Sequence, residues 1–331
     1  MGRPPAQARR MDHPVATLDL THSSGNGTNA NAARNLVVLN PVAGQADTNR
    51  VLRLLAGAFA VRRAGFDVVE TRGAGDAERF AREAAAQGYR SVVAVGGDGT
   101  VGEVITGLAG TGVPLGIVPK GTGNQVAFNL GLPRSIEAAV DVVVNGVPAP
   151  MDLGQVAEGR YFAVAAGTGW DAAVVSLATR ELKDRWGFGA YIYAALRVGA
   201  TPPTTHYTIT ADGETLEIDA AVVLAANMGL IVSNPPALNM RIAPLGSHQD
   251  GRLDVCILAP RNATHAAMMV WRMYRRRFAG DDRMIYLQAR EVDIVSDPPV
   301  VTETDGEPLG FTPLRARAVP GGIHVLVPRA P

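Results

Sequence analysis

The chain has one cysteine, two lysines and no surplus of either charge. Its 331 residues carry 31 basic and 31 acidic side chains, a formal net charge of zero. A nucleic-acid binder needs a basic excess to neutralise phosphates, so that class is excluded. The lone Cys256 rules out an internal disulfide and a four-thiolate zinc site, and it fits a reducing compartment. No apolar run reaches the roughly 18 residues of a membrane-spanning helix. The longest, "AAVVLAANMGLIV" (220–232), is broken by Asn227 and Gly229. The N-terminal segment lacks the apolar centre of a signal peptide, and "MGRPPA" has Ala6 where a myristoylation signal wants Ser or Thr. The histidines show no metal-ligand spacing, no Ser–His–Asp set is evident, and no Walker A loop exists.

Apolar material is ample, at 47% of residues, enough for one large or two ordinary domains. Residues 1–33, rich in Ser, Gly, Asn and Pro, read as a disordered tail. From residue 34, continuous apolar runs at 36–40, 66–71, 91–95 and 114–119 alternate with helical patterns at 48–64, 76–88 and 100–108. That rhythm predicts an α/β domain over 34–150, with a parallel sheet covered by helices. After Pro150 strand-like runs dominate, at 161–167, 206–210, 220–227, 253–259, 291–296, 299–305 and 322–328. Asp-Gly and Gly-Gly turns punctuate them, and helical stretches fall near 169–199 and 262–278. We expect a mainly antiparallel β-sandwich over 151–328, with the active site in a cleft between the domains.

The segment "VVAVGGDGTVGEV" (92–104) contains G-x-G-x-x-G in Gly97, Gly99 and Gly102. A dinucleotide fold puts that fingerprint after its first strand, with an acidic residue about 20 positions later. Here it follows the third strand, and beyond Glu103 the next acidic residue is Glu137. The dinucleotide reading fails. What remains is a strand, small residues and a helix start, a device that aims main-chain amides at an anion. "NPVAG" (40–44) and "GTGN" (121–124) repeat it after two other strands. Three such loops on one sheet edge describe a triphosphate site. Asp98 suits a metal or a substrate hydroxyl there, or else caps the helix that follows. Lys120 reads as a solvated loop lysine.

"NPVAG", "VVAVGGDGTVGEV", "GIVPKGTGN…LGLP", "YFAVAAGTGWDAAVV", "DGRLDV" and "TDGEPLG" together resemble the diacylglycerol-kinase catalytic-domain family in order and spacing, over residues 34–328. That family includes bacterial lipid kinases and sphingosine kinases. The resemblance implies ATP and Mg²⁺ as cofactors and transfer of a phosphoryl group to a lipid hydroxyl. It implies nucleotide contacts from Asn40, Pro41, Val42, Ala43, Gly44, Thr71, Gly97, Asp98, Gly99, Thr100, Glu103 and Thr122. It implies a structural Mg²⁺ at Asp250, with the main-chain carbonyls of Ser247 and Arg252. It assigns catalysis to Glu307 and Asp98, without deciding which is the base. The chain departs from the family pattern at Ala43 for serine, Gly102 for asparagine and Gln125 for aspartate. Two other readings stand beside this one. One is an NAD-kinase-like enzyme acting on a soluble nucleotide, and the other a catalytically degenerate nucleotide-binding regulator.

A lipid acceptor would bring the protein to a membrane. The expected location is the cytoplasm, with peripheral contact at the inner face of the membrane, and a homodimer is allowed for. "HAAMMVWRMYRRRFAG" (265–280) reads as a helix with Arg272, Arg275 and Arg276 on one face and Trp271, Tyr274 and Phe278 along its border. The bland alternative is a solvated arginine face beside core aromatics.

Overall fold

Continuous apolar runs with β-branched residues form strands buried on both faces, and these organise the first half of the protein. The computed structural model describes residues 8–10, 16–18, 30–44, 47–169, 203–232 and 240–329. Two units emerge, Met1–Met151 with Gly322–Pro331, and Asp152–Gly321. The helical stretch expected near 169–199, with Trp170 and Trp186, falls on residues 170–202, outside the described residues.

In the first unit the strands are β1 (Ala8–Arg10), β2 (Ala16–Leu18), β3 (Arg34–Leu39), β4 (Gly65–Glu70), β5 (Ser91–Gly96) and β6 (Leu115–Pro119). The helices are α1 (Thr48–Val61), α2 (Asp76–Ala86), α3 (Asp98–Leu108), α4 (Gln125–Asn129) and α5 (Ile136–Asn145). Strands β6, β5, β3 and β4 lie side by side in that order, all parallel. The chain leaves β3 for β4 on one side and then crosses to β5 on the other. That reversal is the topological switch point at which open α/β sheets bind ligands.

Helix α1 starts where Asp47 accepts a hydrogen bond from Asn49 N at 3.2 Å. It buries Val51, Leu52, Leu55, Ala58 and Phe59 against the sheet, a stripe at helical spacing. Phe59 stacks on Phe66 of β4 with ring centroids 4.5 Å apart. Burying each such side chain contributes about 1.5–3 kcal/mol.

Two expectations need correction here. Within the segment read as a tail, β1 pairs antiparallel with β4 (Arg9 opposite Val68) and with β2, and Ala30–Ala33 forms a 3₁₀ turn. A strand edge offers unpaired main-chain groups to any extended segment, which needs no apolar periodicity to dock. Second, the strand expected to close the sandwich at 328 runs on from it into the first unit, which takes in Gly322–Pro331. Val325 pairs parallel with Leu115 of β6, and Ile323, Val325 and Leu326 are buried.

The second unit is an antiparallel β-sandwich. Its strands are β7 (Val147–Val156), which enters from the first unit, β8 (Tyr161–Phe162), β9 (Ala165–Gly169), β10 (Thr205–Ala211), β11 (Glu214–Ala220) and β12 (Val222–Ala226). Then follow β13 (Leu230–Val232), β14 (Met240–Arg241), β15 (Leu253–Leu258), helix α6 (Ala263–Tyr274), β16 (Met284–Ala289), β17 (Glu291–Asp297), β18 (Val301–Thr304), β19 (Glu307–Phe311) and β20 (Leu314–Val327). One sheet runs β16-β15-β12-β9-β18-β19. The other contains β11-β10-β17-β20. Tyr207, Ile209, Val223, Val255, Ile294 and Leu314 fill the core between them. Strands β10 and β17 bury alternate residues, whereas every residue of β12 and β15 is buried.

Candidate nucleotide site

The loops after β3, β5 and β6 lock together by main-chain approach that only glycine allows. A Cβ on Gly121 would lie 2.4 Å from Gly97 Cα, and one on Gly44 would lie 2.3 Å from the Lys120 carbonyl oxygen. Gly44 also holds φ +66°, a left-handed conformation natural to glycine. Side chains add two further ties. Asn40 Nδ2 donates to Thr100 Oγ1 at 3.0 Å, and its Oδ1 accepts from Val42 N at 3.1 Å. Asn124, itself left-handed at φ +52°, accepts from Gly121 N at 2.8 Å and donates back to Gly121 O at 2.7 Å.

Asp98 is the first residue of α3, whose N-cap is Gly97. Its carboxylate therefore does not cap its own helix. Asp98 Oδ1 instead accepts from Gln125 N at 2.6 Å, which caps α4 and clamps the second loop to the third. The picture of three equivalent anion-ready helix starts changes accordingly. Asp47 caps α1 and Asp98 caps α4, whereas the N-cap of α3, Gly97, has no side chain with which to cap it. The positive dipole end of α3, equivalent to roughly half an elementary charge, favours an anion at a helix start of this kind.

Glu103 ties α3 to the neighbouring helix. Both its oxygens accept hydrogen bonds at 3.0 Å, from Gly75 N and Ala77 N at the start of α2. It supplies the cap that α2 lacks, because Gly75 has no side chain to do so. Thr71 N bonds to Leu39 O at 2.9 Å, fixing the end of β4 beside the first loop. Pro41 O accepts from Thr48 Oγ1 at 3.2 Å, so this loop is also tied to α1. Val42, Gly44, Gly99 and Thr122 are exposed, and Ala43 is half-buried.

The residue that sequence reasoning missed is Lys120. Its ammonium nitrogen is buried and makes no hydrogen bond among the described residues. The stem lies along the first loop, with Cγ 3.6 Å from where a Gly44 Cβ would sit. Burial lowers the ammonium below the usual lysine range, and the Asp47 charge pulls the other way. Its rarity was the available signal, since only Lys120 and Lys183 are lysines.

In the second unit, Glu307 is exposed at the start of β19. The turn before it is pinned by two other carboxylates. Asp305 accepts from the amides of Ala163, Val164 and Ala165 at 2.7, 2.8 and 3.0 Å, and Glu303 Oε2 accepts from Gly306 N at 2.6 Å. Burial pushes the Asp305 carboxyl up against the pull of those amides.

Asp250 Oδ1 accepts from Arg252 N at 3.0 Å, and Oδ2 accepts from Gln288 Nε2 at 3.2 Å. The same Gln288 amide reaches Asp254 Oδ1 at 3.0 Å, and burial raises the Asp254 carboxyl above its usual range. Ser247 Oγ accepts from Gln249 N at 3.4 Å within the same loop. Asp152, unremarked in the sequence, fixes the loop by accepting from Gly251 N and Gly321 N, each at 2.7 Å. Two neighbouring carboxylates, Asp250 and Asp254, suit a hard oxygen-seeking cation such as Mg²⁺. Among the described residues no group of three or more His, Cys, Asp or Glu side chains is arranged to hold a metal. The set that the resemblance implies for such an ion is Asp250 with the carbonyls of Ser247 and Arg252.

A parallel sheet carrying linked glycine loops at its switch point, followed by an antiparallel sandwich, defines a class of two-domain phosphotransferases. Residues 34–156 match the diacylglycerol kinase catalytic domain, and residues 164–327 match the YegS C-terminal NAD kinase beta sandwich-like domain. The chain belongs to the diacylglycerol-kinase catalytic-domain family. It is 31% identical to a diacylglycerol kinase of Bacillus subtilis over 298 residues, covering 88% of this chain and 96% of that one. A diacylglycerol kinase of Mycobacterium tuberculosis is 33% identical over 300 residues, covering 88% and 94%. A solved structure of a Bacillus anthracis protein superposes with TM-score 0.75 at 25% identity, covering 89% of this chain and 97% of that one.

Proposed function

We propose that this chain is an ATP-dependent lipid kinase that phosphorylates the hydroxyl of a diacylglycerol-like or sphingoid-like acceptor. The observation that carries the reading is the locked trio of loops at the switch point, with the glycine start of α3 and the buried Lys120 ammonium beside them. Main-chain amides at a helix start and one cation favour a polyphosphate, and they do so without a Walker lysine. The relatives named diacylglycerol kinase support a lipid as acceptor.

In this reading the acceptor oxygen forms a bond to the γ-phosphorus as the bond to the ADP oxygen breaks. The acceptor proton passes to a carboxylate, Glu307 or Asp98, and ADP leaves. Mg²⁺, when bound, neutralises phosphate charge. The chain's own part is to hold the phosphates on main-chain amides, which need no reorganisation during transfer. Asp98, fixed by Gln125 N, is oriented for its role by the loop it clamps.

The test is transfer from γ-labelled ATP to a panel containing diacylglycerol, sphingosine and NAD. Label in a lipid product supports the proposal. Label in NAD would instead establish the soluble-nucleotide reading, and binding of ATP with no transfer to any acceptor would establish the regulator.

A further inference from the structure

We propose that helix α6 and the arginines after it form a docking surface for an anionic lipid bilayer. The surface is where the proposed lipid acceptor would be met, and it rests on that reading for its purpose, although its test needs no turnover. Met268, Val270, Trp271 and Tyr274 are 44–58% exposed, and they make up four of the ten large hydrophobic side chains exposed among the described residues. Met269 and Met273 face inward. The helix is thus anchored by one apolar face and presents a second one to the outside. A folded protein has little reason to leave such a face uncovered. Trp271 and Tyr274 pack together with ring centroids 5.9 Å apart, and amphipathic rings of this kind settle at a headgroup boundary.

The charge beside this face selects the occupant. The helix ends at Tyr274, Arg275 is its C-cap, and Arg276 turns left-handed at φ +54°. Arg272 is therefore not part of an exposed arginine row, as a helix over 265–280 would have made it. It donates to Ala279 O and lies 4.0 Å from Asp281, holding the following loop. The exposed cations are Arg275, Arg276 and Arg277, which make no ion pair with the described carboxylates. Arg275 sits over the Trp271 ring at 5.7 Å, joining the charge to the apolar face. The acidic neighbours are already engaged, Asp281 by His265 at 3.0 Å and Asp282 by Arg261 at 2.9 Å. A two-fold pairing of copies through this face would bring both arginine clusters into one interface, like charge against like. An anionic bilayer satisfies apolar face and charge together.

Sedimentation of the full chain with phosphatidylcholine vesicles, with and without phosphatidylserine, tests the proposal. The native protein should prefer the anionic vesicles. The R275Q/R276Q/R277Q variant should lose about a hundredfold in partitioning at low salt and much less at high salt. The Met268→Ser/Trp271→Ser variant should lose binding at both. Unchanged melting temperatures check that the variants fold, and turnover on a short-chain dispersed acceptor should persist in both. Equal binding by native protein and variants, or no preference for the anionic vesicles, overturns the proposal. Loss of self-association in the apolar variant, with vesicle binding intact, would make the face a dimer interface instead. Vesicle binding as expected without any lipid phosphorylation would leave this surface standing and remove the proposed function.

Discussion

Lys120 carries the sharpest residue-level consequences. It can bind phosphate only while protonated, and burial lowers its ammonium. Nucleotide affinity should therefore fall as pH rises through that lowered value, before an ordinary lysine would titrate. Lys120→Arg should hold affinity across the same range, because a guanidinium does not titrate there. Lys120→Met should weaken binding about tenfold to a hundredfold, the worth of a hydrogen bond to a charged group. Stability moves the opposite way. An amine lowered on folding leaves the native state most stable above its unfolded value, and that contribution is lost as pH falls through the folded one. Calorimetric titration and thermal melts across pH measure both, and a pH-independent affinity in the native protein would remove Lys120 from the site. For the carboxylates, Asp98→Asn and Glu307→Gln should each lower turnover at least about a hundredfold, with melting temperatures little changed. The asparagine keeps an oxygen for Gln125 N, so the clamp survives its loss of charge. Full turnover in both variants would refute their catalytic assignment. Sequence alone singled out Asp98 by its place in the glycine loop, and Glu307 only through the resemblance. It could not show that Asp98 caps α4 or that Glu103 caps α2, since both bonds join separate elements.

At the scale of elements, the loops behave as one body because glycine lets their main chains touch. Gly121→Ala puts a methyl 2.4 Å from Gly97 Cα, so the second and third loops must part. Nucleotide binding should be lost with only a modest fall in melting temperature. Gly102→Ala, in α3 with nothing within 4 Å of its added Cβ, should instead stabilise the protein by up to about 1 kcal/mol. If Gly121→Ala binds ATP normally, the linked-loop account of the site is wrong. The strands and helices that framed these loops were readable. β3, β5 and β6 announced themselves as continuous apolar runs, and α1 and α2 as periodic stripes. Strand β11 did not, because six of its seven residues stay at least partly exposed and its sequence carries no apolar run. The β1–β2 hairpin was equally silent, since main-chain pairing on an edge leaves no side-chain pattern.

Across the whole molecule, the change from helix-and-strand alternation to turn-punctuated strands marked the passage to the sandwich. The return of the C-terminal strand to the first unit was not legible. "GIHVLVP" reads as a strand in either unit, and sequence does not say which neighbour it pairs with. Among the described residues no helix is long and apolar enough to cross a membrane. The measurement that tests the central claim most directly is a structure of the protein with a non-hydrolysable ATP analogue and Mg²⁺. We predict the triphosphate on the amides opening α3, against the loop 40–44, with the Lys120 ammonium on a phosphate oxygen. Phosphates bound elsewhere, or loops 40–44, 97–100 and 121–124 left without nucleotide contact, would contradict it.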